Sequence, residues 1–472
     1  MKTKTSLTTS SVNRSLRKLV LAAGVTFIVC VSGEVRPGQP QLLTNPPGLP
    51  AYPLKASDNG RYLVDQNGTP TILVGDSPHS LFVNLSTQQA DIYFANRASY
   101  GINALWVEVL CNTYTAGRAD GSTYDGIIPF TTPGDMSTPN PTYFRRLDQM
   151  VRLAANHGIQ IVMDAFETAG WMSVLEQNGN QKALQYGKFL GNHYKNFNNI
   201  IWITGNDFQT WNTSQTDNRL VASIMRGIAS TDPNHLQTTE LSYLVSGSLD
   251  DALLVPYTTL AGAYTYYPTY AEVLHEYNAP NYVPAFMEEA NYEFEDNTGM
   301  DYGDPETLRR QEYWTMLSGA TGQLYGNHYT WTFESGWQHN LNTPGIRQLQ
   351  YMKDFFSARQ WWDLVPDQTH TVVIAGYGTF SDTGSLHDND YVTAARVPDG
   401  SLVLAFCPVS TTLTVDMTQM RGLTNASWFD PTNNTLSVIV GSPFGNTGTQ
   451  DFTTPGNNGD GDPDWVLVLE SP

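Results

Sequence analysis

Two stretches of this chain end a predicted strand in side chains that can do acid–base chemistry. The first is Asn199-Ile200-Ile201-Trp202-Ile203-Thr204-Gly205-Asn206-Asp207. Its apolar run is too short for a buried helix and rich in β-branched and aromatic residues, which suits a strand buried on both faces. The run breaks at Gly205 and delivers an amide and a carboxylate side by side. The second is Pro284-Ala285-Phe286-Met287-Glu288-Glu289-Ala290-Asn291-Tyr292-Glu293. Alternation along a strand sends Glu288 and Glu289 to opposite sides, so at most one of them easily enters a shared cleft. A carboxylate that gives up a proton, an amide beside it and a second carboxylate opposite are the parts needed to hydrolyse a glycosidic bond. The two carboxyl groups stand roughly 5–5.5 Å apart for retention of configuration and further apart for inversion. Taken singly, Asn-Asp is also common turn chemistry and a strand-end Glu is more often a solvated acid. The pairing at one rim of one barrel favours chemistry.

That rim requires a scaffold, and the chain supplies one. Residues 54–65 read as a hairpin, with turns at Asp58-Asn59-Gly60 and Gln66-Asn67-Gly68, able to cap the bottom of a barrel. Strands are then expected at 72–76, 102–109, 159–165, 199–205, 235–240, 261–266, 282–288 and 321–326. Helices alternate with them. Ser86-Thr87-Gln88-Gln89 is a capping box, Asn140-Pro141 and Asp304-Pro305 are helix starts, and Gly101 and Gly158 are stops. One helix is expected from about Gln181 to Asn196 and a last one from Pro344 to about Arg359. Eight strands alternating with helices predict a (β/α)8 TIM barrel over 51–368, with chemistry at the C-terminal ends of its strands. An open doubly wound sheet is the main alternative, and no Gly-rich phosphate loop supports it. From 369 to 472 short strands with turns, such as Val392 to Val397, Asp399-Gly400 and Leu402 to Phe406, predict a small all-β sandwich.

Other residues at the expected rim can bind sugar hydroxyls or stack on sugar faces. Asp76, Tyr292, Asn327 and Trp331 lead these, followed by His79, Glu108, Trp171 and Tyr266; Asp164, Glu167, Glu240, Trp106 and Trp337 are weaker. Most aromatics serve as core or wall. No metal site or cofactor is expected. His275-Glu276 starts like a zinc-protease helix but lacks the second His, and Asn458, Asp460, Asp462 and Asp464 lack calcium-loop spacing, so a solvated acidic loop is expected there.

The chain has 472 residues, enough for two domains, and a formal net charge of −20, which argues against nucleic acid or an anionic membrane as partner. Lys2, Lys4, Arg14, Arg17 and Lys18 precede an apolar run at 19–31, followed by Ser32-Gly33. This predicts a secretory signal over 1–33, too short for a membrane span, then a Pro/Gly-rich linker over 34–50. No membrane span is expected after cleavage, and secretion is expected. Cys111 and Cys407 remain, which supports neither a disulfide framework nor a cysteine metal site.

From roughly Tyr52 to Pro366 the chain resembles the apiosidase-like glycoside hydrolases, barrel enzymes related to clan A. The matching pieces, in order, are Gly75-Asp76, Asn206-Asp207, Glu289 with Tyr292-Glu293, Ala320-Thr321-Gly322 with Tyr325-Gly326-Asn327, and Trp361-Trp362-Asp363-Leu364-Val365-Pro366. The family pattern usually has Pro after the nucleophile Glu, where this chain has Ala290. The resemblance implies Asp207 as general acid/base, Asn206 as a hydroxyl-binding neighbour and Glu289 as nucleophile. It also implies an oligo- or polysaccharide substrate from the plant cell wall, apiose-containing pectin side chains among the options. The C-terminal region is similar to a β-domain often attached to these barrels and labelled collagen-binding. The acid is expected to hold its proton near neutral pH while the nucleophile stays ionised. A carbohydrate- or matrix-binding protein with an inactive barrel is the other reading, and the intact carboxylates argue against it. A protease has no nucleophile–base set or metal motif in its favour.

Overall fold

The first barrel strand, Leu73–Asp76, follows a two-stranded hairpin in which Lys55–Ala56 pairs antiparallel with Leu63–Val64. The structure, a computed structural model, describes residues 49–472. The expected signal and all but the last two residues of the expected linker lie outside the described residues. The hairpin caps the bottom as its sequence predicted: Leu63 N–H donates to Thr321 Oγ1 at 2.9 Å, and Tyr52, Leu54 and Leu63 pack with Trp106, Ile201 and Phe286 of the strands.

Seven strands lie parallel around the ring. Ala104–Glu108, Gln160–Glu167 and Ile200–Gly205 extend from one side of Leu73–Asp76; Gly322–Tyr325, Ala285–Glu289 and Ala261–Thr265 extend from the other. Residues 236–240 fill the fifth position. Leu236 O accepts from Trp202 N–H at 2.8 Å, Thr238 N–H donates to Trp202 O at 2.8 Å, and Gln237 O accepts from Leu260 N–H at 3.1 Å, which joins the two ends of the sheet. A further short strand, Val245–Gly247, runs back antiparallel on Ala261–Thr265, an insertion that the alternating pattern did not announce.

The outer helices start where their caps predict. Ser86 and Gln89 complete the capping box of Thr87–Ser99; Asn140, Asp304 and Thr343 cap Pro141–Asn156, Pro305–Leu317 and Pro344–Ser357, each with Pro at the first turn. Each cap satisfies an orphan N–H, an effect of about 1 kcal/mol. One start differs. The helix after the third strand begins at Thr168 rather than near Gln181, with the Glu167 side chain accepting from Gly170 N–H. Gly179, at φ 69°, breaks Thr168–Tyr194 into two segments, and only the second carries a clear helical pattern in sequence.

Two antiparallel sheets follow. Six strands, in order Val365–Pro366, Thr393–Arg396, Leu402–Cys407, Trp465–Glu470, Asn425–Asp430 and Thr435–Val438, face three, Val373–Ala375, Thr412–Asp416 and Thr449–Thr453. Along Leu402–Cys407 the side chains alternate: Val403, Ala405 and Cys407 fill the sandwich, while Leu402, Leu404 and Phe406 join the helices of the barrel. The helix Pro305–Leu317 is therefore buried on every side from Thr307 onward. Tyr313 stacks on Phe406 with centroids 5.3 Å apart. Arg309, fully buried, is held by Asp464 at 2.9 Å and Asp462 at 2.7 Å. The 458–464 loop is thus not wholly solvated: Asp464 is buried and Asp462 half-buried on the guanidinium, which requires paired charge, while Asp460 stays exposed. Cys111 and Cys407 are both buried and free. Among the described residues no helix is long and apolar enough to cross a membrane.

Candidate active site

The turn after the fourth strand is built from three residues that tolerate its backbone. Gly205 has φ 142°, and a Cβ there would stand 2.1 Å from Glu240 O. Asn206 and Asp207 follow at φ 57° and 53°, a left-handed conformation that Asn and Asp adopt more readily than other side chains. Hydrogen bonds fix it. Asp207 N–H donates to Glu240 Oε2 at 2.7 Å, and Asn206 O accepts from Thr168 Oγ1 at 3.1 Å and Ala169 N–H at 3.3 Å. Asn206 Nδ2 meets His79 Nδ1 at 2.9 Å and Glu108 Oε1 at 3.2 Å.

Each candidate carboxylate is gripped by two tyrosines. Asp207 Oδ1 accepts from Tyr264 OH at 3.0 Å, and Asp207 Oδ2 accepts from Tyr114 OH. Glu289 Oε1 accepts from Tyr266 OH at 2.6 Å and Oε2 from Tyr292 OH at 2.7 Å. Tyr292 OH also contacts His79 Nε2 at 2.9 Å, so one polar chain runs Asn206–His79–Tyr292–Glu289. With Tyr292 donating to Glu289, that chain requires the tautomer in which His79 Nε2 carries the proton. Both carboxylates, with His79, Asn206, Tyr266, Tyr292 and Trp331, line one cleft of about 280 Å³. Glu288 takes the other face of its strand, with Oε2 1.7 Å from where a Cβ on Gly262 would stand.

Burial raises Glu289 most, the Asp207 charge raises it further, and His79 and the two tyrosine hydroxyls partly oppose them; its carboxyl is pushed up to about 7. This differs from the expectation of a nucleophile held low, because Glu289 itself is buried and feels the charge of its partner acid. Burial and neighbouring carboxylates likewise hold Glu240, Glu167 and Asp164 well above the usual carboxylate range. The hydroxyls of Tyr114, Tyr264, Tyr266 and Tyr292 are all raised, first by burial, and so remain neutral donors.

Four of the leading sequence candidates lie outside the cleft lining, as do all five weaker ones, Asp164, Glu167, Glu240, Trp106 and Trp337. Asp76 is fully buried and pairs with Arg97 Nε at 2.5 Å, a bond that ties strand to helix. Asn327 is fully buried, caps the short helix His328–Trp331 and donates to Glu293 at 3.1 Å. Glu108 lies behind Asn206 and accepts from Thr115 Oγ1 at 2.6 Å, which makes it a support for the amide. Trp171 is buried against Gly121, where a Cβ would stand 2.6 Å from its ring. Trp106 lies against His79, centroids 4.4 Å apart, and Trp337 packs on Tyr93. Sequence reasoning missed Tyr114, Tyr243, Tyr264, Glu295 and Asn297, which also line the cleft. Tyr264 was findable, being two residues before Tyr266 and hence on the same strand face. The other four come from loops with no periodicity.

Residues 57–363, well over half of the chain, match the family model described as "Apiosidase-like, catalytic domain". The chain belongs to the apiosidase-like family. It is therefore a glycoside hydrolase. Residues 379–470 match a second model, described as "Putative collagen-binding domain of a collagenase". The apiosidase-like barrel and its β layers superpose on a solved glycoside hydrolase with TM-score 0.74 at 22% identity, covering 89% of this chain and 97% of that one. A glycoside hydrolase family 5 structure from Bacteroides vulgatus ATCC 8482 gives TM-score 0.73 at 22% identity, covering 89% and 93%. At that identity the likeness speaks for the fold alone. No curated protein matches the chain.

Proposed function

We propose that this hydrolase cleaves its glycosidic bond with retention, Asp207 acting as general acid/base and Glu289 as nucleophile. The observation that carries the reading is that both carboxylates wall one cleft of about 280 Å³, each pinned by two tyrosine hydroxyls, and that Glu289 feels the charge of Asp207. In the first step Glu289 attacks the anomeric carbon while Asp207 gives its proton to the departing oxygen. In the second, Asp207 takes a proton from water, and that water displaces Glu289 from the same carbon. Asn206, its Nδ2 held by His79 and Glu108, offers its Oδ1 to a sugar hydroxyl near the reacting carbon, and Trp331 supplies an aromatic wall.

The substrate is read as plant cell-wall polysaccharide, with apiose-containing pectin side chains as one option, and the enzyme as secreted. The family supports the first and the basic–apolar N-terminus the second. The test is a panel of pectic and hemicellulosic fragments with the product anomer followed by NMR. Retained configuration at early times is expected. Asp207→Ala and Glu289→Ala are each expected to lose nearly all turnover while staying folded. An inverted product, or a fully active Glu289→Ala, overturns the assignment. Binding across the panel without turnover makes the barrel a carbohydrate-binding unit instead.

A further inference from the structure

A second group of ionisable side chains gathers outside the cleft, between the inserted strand Val245–Gly247 and the helix Thr269–Tyr277. Asp250, Glu272 and His275 each offer one ligand atom, and these atoms lie within 4.8 Å of one another. Glu272 and His275 stand three apart on the helix and so share a face, while Asp250 reaches them from the turn after the inserted strand. Glu276, the next residue on the helix, is fully buried and neither of its carboxylate oxygens has a hydrogen-bond partner. Glu272 Oε1 is likewise buried without one.

Gly247 shows that these groups converge. A Cβ there would stand 2.0 Å from Glu276 Oε1 and 2.9 Å from Glu272 Oε1, and its N–H donates to Asp250 Oδ2 at 3.0 Å. Three carboxylates thus surround one backbone position that only glycine leaves open. An ordinary acidic patch is solvated; here two of the acids are buried, and an oxygen of each converges on Gly247. His275 pairs with Asp250 at 2.8 Å and leaves both oxygens of Glu276 unpartnered. Carboxyl groups buried in this way either hold a proton or are joined by a positive charge.

We propose that Asp250, Glu272 and His275 bind a divalent cation of the zinc type, with the buried Glu276 carboxylate behind them. The donor set decides the class. Calcium and magnesium take oxygen ligands, whereas an imidazole nitrogen among carboxylates suits zinc, which takes three protein ligands with water in the fourth position. Entry is open, because Asp250 and His275 line a surface cavity of about 620 Å³ with Leu274, Asn278, Phe380 and Tyr391. The ion ties the helix to the inserted strand. It also sits on the outer side of the seventh strand, where Glu288, buried with neither oxygen partnered, precedes Glu289. Its role is to brace that strand, not to meet the sugar.

The test uses the tag-free chain, stripped with chelator and titrated with ZnCl2 in a calorimeter. One zinc per chain is expected, with a rise in melting temperature that chelator reverses. His275→Gln and Asp250→Asn, both at accessible positions, are expected to weaken zinc at least about tenfold while keeping the wild-type circular dichroism. X-ray absorption at the zinc edge of the wild type is expected to show nitrogen and oxygen at about 2.0–2.2 Å. No stoichiometric zinc, undiminished affinity in His275→Gln, equal affinity for calcium, or a shell of water alone would each overturn the proposal.

Discussion

Tyr264, on the strand Ala261–Thr265, and Tyr266, one residue past its end, each hold one candidate carboxylate: the first reaches Asp207 Oδ1 at 3.0 Å, the second Glu289 Oε1 at 2.6 Å. Their rings lie edge to face with centroids 5.6 Å apart, so one strand end sets the spacing of both acids. Removing one hydroxyl should therefore unbalance the pair. The Tyr266 hydroxyl stabilises ionised Glu289, so Tyr266→Phe raises the Glu289 pKa further and moves the acidic limb of kcat/KM to higher pH. The variant should lose more activity at pH 6 than at pH 8. A pH–rate profile checks this, and an equal loss at both values would assign Tyr266 to sugar binding alone.

The wild-type profile carries a prediction of its own. A nucleophile must be ionised, and burial first, then the Asp207 charge, pushes Glu289 up to about 7. Hydrolysis should then fall as pH drops through that value, which sets the acidic limb of the profile. Asp207→Asn removes the neighbouring charge, so the Glu289 carboxyl should titrate at lower pH than in the wild type. A 13C-NMR titration of labelled Glu reads this without requiring turnover. An unmoved titration would place the two carboxylates too far apart to act on one bond.

Gly205 offers a test of the turn. A Cβ there meets Glu240 O at 2.1 Å, and φ 142° is outside the range that alanine favours. Gly205→Ala is expected to cost about 1–3 kcal/mol of stability. It should also displace Asn206 and Asp207, so that activity falls more than unfolding explains. Denaturant midpoints beside kcat at a temperature where the variant is folded separate the two effects.

The barrel was legible because its signals are local: apolar runs of strand length, and caps such as Ser86 with Gln89 that fix a helix start whatever packs around it. The two acids were legible for the same reason, since a strand end and alternation place Asp207 at the rim and allow only one of Glu288 and Glu289 inside. What the chain hid depends on distant partners. Asp76 looked like a rim ligand until Arg97, on the following helix, claimed it, and Asn327 looked like one until it became a cap. Tyr114 sits in a loop whose course no periodicity encodes, yet it holds Asp207. The acidic loop near the C-terminus likewise shows its purpose only beside a buried arginine.

That arginine gives the last test. Arg309 lies on the helix shared by barrel and β layers, and Asp464, Asp462 and Gln348 take up its guanidinium at 2.9, 2.7 and 2.8 Å. Asp464 is itself fully buried, so Arg309→Ala strands a carboxylate that has lost its main positive partner. Breaking a buried pair from one side typically costs about 3–5 kcal/mol, whereas replacing the whole cluster with apolar groups can be nearly neutral. Arg309→Ala should lower the denaturant midpoint accordingly, and adding Asp464→Asn to it should recover part of the loss. Calorimetry then reports whether barrel and β layers still melt together. If Arg309→Ala leaves the midpoint unchanged, the apolar contact of Tyr313 on Phe406 and of Phe355 on Phe429 is enough to hold the two parts as one.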